Sequence, residues 1–276
     1  ARDLDGVSGQ IAAHYERAGL AEQAIPYYGR AGKIALRIFA NTEAVTAFQG
    51  AVTLLETHAH QELAWEEAAA LYLALGDVLG VMGQQEDARQ IYQRGLATVP
   101  AQEYIWQARL LRKTASTWNF ASSNPLDTFH SQARQIFQEA ERVLEQVEDR
   151  SSPAWIAEWI DLQIAQLLPL RGSVEEMTAN IDKARPMVER YGTGEQRGQL
   201  LQALGSRDSK RDRYVASDET ILEHRNSLTA VQRTGNKVLI GFSHFSLANH
   251  LSWAGQLDEA EQEMQAAIAL AEQTGN

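Results

Sequence analysis

Leu75-Gly76-Asp77-Val78-Leu79-Gly80-Val81-Met82-Gly83-Gln84-Gln85-Glu86-Asp87-Ala88-Arg89-Gln90-Ile91-Tyr92-Gln93-Arg94-Gly95 is the stretch that decides the fold. Gly83 ends one helix-period apolar run. At +5, +9 and +12 from it, Ala88, Tyr92 and Gly95 stripe one face of the next. The spacing recurs as Gly19…Ala24…Tyr28…Ala31, Gly172…Met177…Ile181…Ala184 and Gly255…Ala260…Met264…Ala267. With a weaker turn it returns at Ala44…Phe48…Ala51, Ala133…Phe137…Ala140 and Thr220…His224…Ser227. The +5 residues stand at 24, 44, 88, 133, 177, 220 and 260, a period of 40–45 after the first pair. A fixed period of this length sets the architecture before any local assignment. A helical hairpin cannot bury its own apolar stripe, so the copies stack and complete one another's core.

Outward from this stripe, helical periodicity runs nearly end to end and predicts thirteen helices. They span 8–18, 21–39, 42–56, 63–82, 85–98, 102–121, 127–147, 153–169, 173–190, 195–208, 215–234, 237–254 and 257–273. Asn41-Thr42-Glu43, Pro100, Asn124-Pro125 and Ser151-Ser152-Pro153 supply starts and stops for this division. No stretch alternates apolar and polar residues long enough for a strand. Small residues at Ala12, Gly76, Ala115, Ala165 and Ala248 fall where the first helix of a hairpin meets its partner. Tyr15, Leu79, Trp118, Leu168 and Leu251, three residues later, fill the space between hairpins. The expectation is an all-α, right-handed solenoid of antiparallel hairpins forming one continuous domain over residues 1–276.

Composition bounds the function classes. With 44% hydrophobic and 22% charged residues the chain is that of a folded, soluble protein. A net charge of -11 and a pI near 5.1 exclude a basic nucleic-acid face. The absence of cysteine removes disulfides, thiolate metal sites and thiol nucleophiles together. No apolar run is long enough for a membrane span, and residues 1–5 do not read as a signal peptide. The start at Ala1 and the end just after a repeat are expected of a segment of a longer cytoplasmic protein.

Leu75-Gly76…Leu79…Gly83…Ala88…Tyr92…Pro100 and Leu247-Ala248…Leu251…Gly255…Ala260…Met264…Ala267 resemble the tetratricopeptide repeat signature. The longer period resembles the long-helix variety of large bacterial regulators. Ile11-Ala12-Ala13-His14-Tyr15-Glu16-Arg17-Ala18-Gly19, followed by Ala24…Tyr28…Arg30-Ala31 and Ala40-Asn41-Thr42-Glu43-Ala44, is similar to a particular junction. It is the one that opens the sensor region of bacterial multidomain signal-transduction ATPases (STAND-type) and their transcriptional regulators. The resemblance implies a sensor or scaffold. Its partners would be a protein or peptide, a small-molecule effector, or the ATPase domain of the same polypeptide, with no direct nucleic-acid or membrane contact. A free-standing scaffold that joins proteins without switching is the alternative.

Chemical motifs are missing. There is no phosphate-cradling Gly-x-x-x-x-Gly-Lys-Ser/Thr, no His-Glu-x-x-His and no Gly-x-Ser-x-Gly. Gly192-Thr193-Gly194…Gly198 reads as an inter-helix turn, and His58, His60, His244 and His250 are dispersed. No enzyme, cofactor or metal site is expected. In tetratricopeptide proteins, ligands lie along the concave wall made by the first helix of each hairpin. Carrying that onto the aligned copies nominates Arg109, Arg112, Ser116, Asn119, Trp159, Gln166, Gln202, Phe242, Phe245 and Asn249, with Gln199, Ser206 and Ser252 as neighbours. Arg109 and Arg112, one turn apart, either clamp a carboxylate or phosphate or pair with Glu139, Glu141 or Glu145. Asn119 and the long Ser122–Thr128 loop would add hydrogen bonds. Trp159, Phe242 and Phe245 are either inter-repeat packing or a ligand platform. The run Arg207-Asp208-Ser209-Lys210-Arg211-Asp212-Arg213, where a glycine turn belongs, reads as a solvated loop or as a basic contact for an acidic partner.

Overall fold

A computed structural model describes residues 6–57, 63–120, 126–167 and 173–275, with the side chains of residues 119–120 and 126–130 left out of the description. The described residues hold thirteen α-helices and no strand. They are α1 (Ser8–Arg17), α2 (Ala21–Arg37), α3 (Asn41–Thr57), α4 (Trp65–Val81), α5 (Gln85–Leu96), α6 (Tyr104–Ser116), α7 (Leu126–Leu144), α8 (Pro153–Leu167), α9 (Val174–Tyr191), α10 (Gly194–Arg211), α11 (Asp218–Gln232), α12 (Lys237–Trp253) and α13 (Leu257–Thr274). A 3₁₀ turn, Thr117–Phe120, follows α6. Consecutive helices pack pairwise, the arrangement of an all-α solenoid. No described helix is long and apolar enough to cross a membrane.

The glycine-and-alanine stripe is the packing surface. The +5 residues Ala24, Ala44, Ala88, Ala133, Met177, Thr220 and Ala260 are all buried. Small side chains there let paired helices approach. At Gly76 a methyl group would collide with the Tyr92 ring, a contact no real side chain tolerates. Gly83 and Gly255 turn the chain with φ of +77°, a left-handed conformation that glycine alone adopts cheaply. The expected turn at Gly172 and most of that at Ser122–Thr128 lie outside the described residues, as do His58, His60 and Leu168, while Leu126 already begins α7.

The packing gathers into two compact units, Ala1–Val143 and Leu144–Thr274. In the first, Phe48, Leu75, Val78, Tyr92 and Leu110 join one core. In the second, Ile160, Ile164, Ile181, Val188 and Leu200 form one cluster and Ile221, Leu228, Val231, Leu247 and Leu251 another. Here helix starts are fixed by side-chain caps. Ser173 and Thr193 make reciprocal capping boxes with Glu176 and Gln196, and Ser217 and Asn236 cap α11 and α12. The Gly192-Thr193-Gly194 segment is therefore an inter-helix turn whose work is done by Thr193. Neither flanking glycine has positive φ.

The charged run departs from its sequence reading as a loop. Residues 207–211 continue α10, with Asp208 and Ser209 buried at 7% and 1% exposure. Asp208 explains the extension, because it pairs with Arg207 at 2.7 Å and with Arg211 at 3.0 Å. Asp208 and Arg207 are largely buried as a pair, while the Arg211 side chain is 55% exposed. The turn comes afterwards, and with no glycine available Arg213 and Tyr214 take φ of 55° and 63°.

Candidate functional site

Within the second unit, α10 packs against both α8 and α12, so the first helices of successive hairpins stand side by side. Between them opens a cavity of about 140 Å³. Leu167 closes one side, Gln202, Ser206, Ser209 and Lys210 come from α10, Tyr214 from the strained turn, and Phe242, Phe245, Asn249, His250 and Trp253 from α12.

Four aromatic side chains of the lining are exposed, Tyr214 at 52%, Phe242 at 40%, Phe245 at 45% and Trp253 at 44%. The other exposed large hydrophobics of the described residues are aliphatic, apart from Tyr191. Phe242 and Phe245 lie 6.4 Å apart, one helical turn from each other, and Tyr214 meets Trp253 edge-on at 5.0 Å. The positive φ of Tyr214 is what carries its ring from the turn to α12. Apolar rings gathered around one concavity make it a candidate recognition surface, where scattered ones need no explanation.

Beneath the rings the lining is polar and buried. His250 is 4% exposed and stacks on His224 with 3.7 Å between ring centroids. Its Nδ1 donates to the Ser246 carbonyl at 2.7 Å. A carbonyl only accepts, so Nδ1 carries the proton and Nε2 is left as an acceptor. Burial pushes His250 below its ordinary range. Burial and then the neighbouring His250 push His224 down to about 3. His224 occupies the +9 stripe position that other copies fill with Tyr, Phe, Ile or Met. Gly205 makes room for it, since a methyl there would lie 2.7 Å from its Cδ2. Gln202 Oε1, Ser209 Oγ and His250 Nε2 are buried without a hydrogen-bond partner, an arrangement that costs about 1–3 kcal/mol per group.

Of the sequence-predicted residues, the cavity brings together Gln202, Phe242, Phe245 and Asn249, with Ser206 beside them. Trp159 and Gln166 lie on α8 away from it. Trp159 packs on the core and stacks on Trp155 at 6.2 Å, and Gln166 reaches the Leu162 carbonyl at 3.4 Å. Arg109, Arg112 and Ser116 belong to the first unit. Arg109 sits over the Trp106 ring at 4.9 Å, and Ser116 bonds the Arg112 carbonyl at 3.0 Å. Arg112 is only 9% exposed, beside Tyr92, whose hydroxyl donates to Asp77 at 2.6 Å. The side chain of Asn119 lies outside the described residues. Sequence reasoning missed Tyr214, His250 and Trp253, and took Ser209 only as part of the charged run. A histidine at the apolar stripe position 224 was the signal that a buried polar layer lay here.

No family model matches this sequence, and no curated protein does. Solved structures do. BtubC (BKLC) from P. vanneervenii aligns at 14% identity over 86% of this chain and 93% of its own, with a TM-score of 0.52. At that identity the likeness is one of helical fold alone.

Proposed function

We propose that this chain is a non-catalytic, tetratricopeptide-like recognition module, the sensor or scaffold region of a bacterial regulatory ATPase or transcriptional regulator acting in the cytoplasm. The repeat signature and the likeness of residues 11–44 to the junction that opens such sensor regions support this reading. The observation that carries it is the set of four exposed rings around a cavity whose lining also includes the buried polar residues Gln202, Ser209 and His250. Ligand sites combine those two properties. Ser246 Oγ lies 3.4 Å from His224 Nδ1, yet burial lowers that imidazole to about 3. Such a base does not take a hydroxyl proton at neutral pH.

A thermal-shift screen of the chain against cellular metabolites and peptides tests the proposal. A ligand at a hundred times its Kd adds about 2.7 kcal/mol of stability. Hits should stabilise the wild type and leave the Phe242→Ala/Phe245→Ala variant unmoved. A screen with no hits, or hits indifferent to that double substitution, would sink the reading of this cavity.

A further inference from the structure

We infer that the cavity takes a single aromatic ring bearing a carboxylate, of the phenylacetate kind, with the ring held by Phe242, Phe245, Tyr214 and Trp253 and the carboxylate directed to Lys210. This rests on the recognition reading of the same cavity and specifies its ligand class.

Size and wall select the ring. A volume of about 140 Å³ is that of one six-membered aromatic ring, since an engineered apolar cavity of ~150 Å³ takes benzene. The four aromatic side chains of the lining keep 40–52% of their surface exposed. They offer flat apolar faces and edges, which a planar ring matches by stacked or edge-on contact. An aliphatic group of the same size would bury similar area and forgo that contact.

Charge selects the carboxylate. The chain is acidic as a whole, with 36 Asp and Glu against 25 Lys and Arg. The cavity has the opposite sign: among the described residues its lining holds one cation, Lys210, and no carboxylate. The acids on either side of Lys210 in sequence are engaged by arginines. Asp208 pairs with Arg207 and Arg211, and Asp212 pairs with Arg211 at 2.9 Å. His250 adds no charge at neutral pH, because burial lowers it. Ser206 lies one helical turn from Lys210 on the same face of α10, and Asn249 lines the cavity from α12. All three are half-buried and carry hydrogen-bond donors suited to the oxygens of an anion. Aromatic rings of this kind also attract organic cations. Here a cation would meet Lys210, a like charge that no acid in the lining offsets.

Ligand-observed NMR titration of the whole chain at low salt with phenylacetate, phenylacetamide, phenethylamine and cyclohexylacetate tests this. Phenylacetate should bind saturably and at least about tenfold more tightly than its uncharged isostere phenylacetamide or the cationic phenethylamine. Cyclohexylacetate, which keeps the charge and loses the flat ring, should bind at least about twofold more weakly than phenylacetate. Lys210→Met should bring the phenylacetate-to-phenylacetamide ratio toward one, and Lys210→Arg should keep it. Circular dichroism would verify that both variants are folded. N-acetylphenylalanine separates the two sources of this chemistry. Binding tighter than that of phenylacetate assigns the site to a peptide C-terminus, weaker binding assigns it to a free acid, and either keeps the ring-and-carboxylate class. The amide, the amine or cyclohexylacetate matching phenylacetate overturns the inference, as does a ratio unchanged in Lys210→Met. Absence of saturable binding by phenylacetate overturns it too. If the metabolite screen then still finds a ligand lost in Phe242→Ala/Phe245→Ala, recognition stands and only the ligand class falls. If it finds none, both fall.

Discussion

The imidazole of His224 lies face to face with that of His250, ring centroids 3.7 Å apart and planes 30° apart, and both are uncharged in the folded protein at neutral pH. Burial is the main cause for each, and a second positive charge at this distance would raise the penalty further. The folded pKa of His224, about 3, lies below its ordinary 6.5. The unfolded chain therefore takes up a proton first as pH falls, and protonation favours unfolding. The stabilisation is complete above pH 6.5 and is lost progressively from there toward pH 3. The loss is about 1.4 kcal/mol per pH unit, so His224 alone should cost about 2 kcal/mol between pH 6.5 and 5. His250 acts in the same direction. Urea unfolding at pH 7.5 and 5 measures this, and His224→Phe should remove most of the difference.

Gly205 lets that pair sit against α10. In Gly205→Ala the new methyl would stand 2.7 Å from His224 Cδ2 and drive into a stacked, immobile ring. Overpacking of this kind costs about 1–3 kcal/mol even though alanine is the better helix former. A melting temperature at or above that of the wild type would show that the histidines yield easily.

Arg112 is a largely buried cation. Arg112→Glu would place a carboxylate at a site 9% exposed, beside the Tyr92 hydroxyl and the Asp77 that accepts from it. Losing a buried cation and adding a like charge should cost about 3 kcal/mol or more. Denaturant unfolding should show the loss. Retained stability with ligand binding abolished would instead return Arg112 to the binding surface.

Truncations should divide the phenylalanines into two kinds. Phe48 is fully buried, packed in the core of the first unit, and Phe48→Ala should cost about 3–5 kcal/mol. Phe242→Ala and Phe245→Ala remove rings that are 40% and 45% exposed, and each should cost under about 1 kcal/mol. Equal losses in the two sets, measured by calorimetry, would make the α12 rings packing residues.

The fold was legible because helix pairing depends on a few small residues at fixed spacing, and sequence displays spacing directly. Ala24, Ala88 and Ala260 could be placed at buried contacts from their distance to a glycine alone. The site was half legible for a related reason. Phe242, Phe245, Asn249 and Gln202 follow the register of first helices, so counting finds them. Tyr214 and Ser209 do not. Their positions depend on where α10 ends, and Asp208 moved that end by pairing along the helix with Arg207 and Arg211. Charge placement inside a run is invisible to periodicity. Arg112 shows the limit of counting, because register specifies a helix face and says nothing of how deeply the side chain is covered.

The turn at Arg213 and Tyr214 ties the wall of the cavity to a sprung segment of backbone. Two side-chain-bearing residues in the left-handed region store about 1–3 kcal/mol each, and the aromatic edge contact between Tyr214 and Trp253 helps hold them there. An occupant gripping that ring would brace the spring, and its departure would let the segment relax. The amides of residues 212–216 are thus a natural gauge of occupancy, slowing their hydrogen exchange when the cavity is filled.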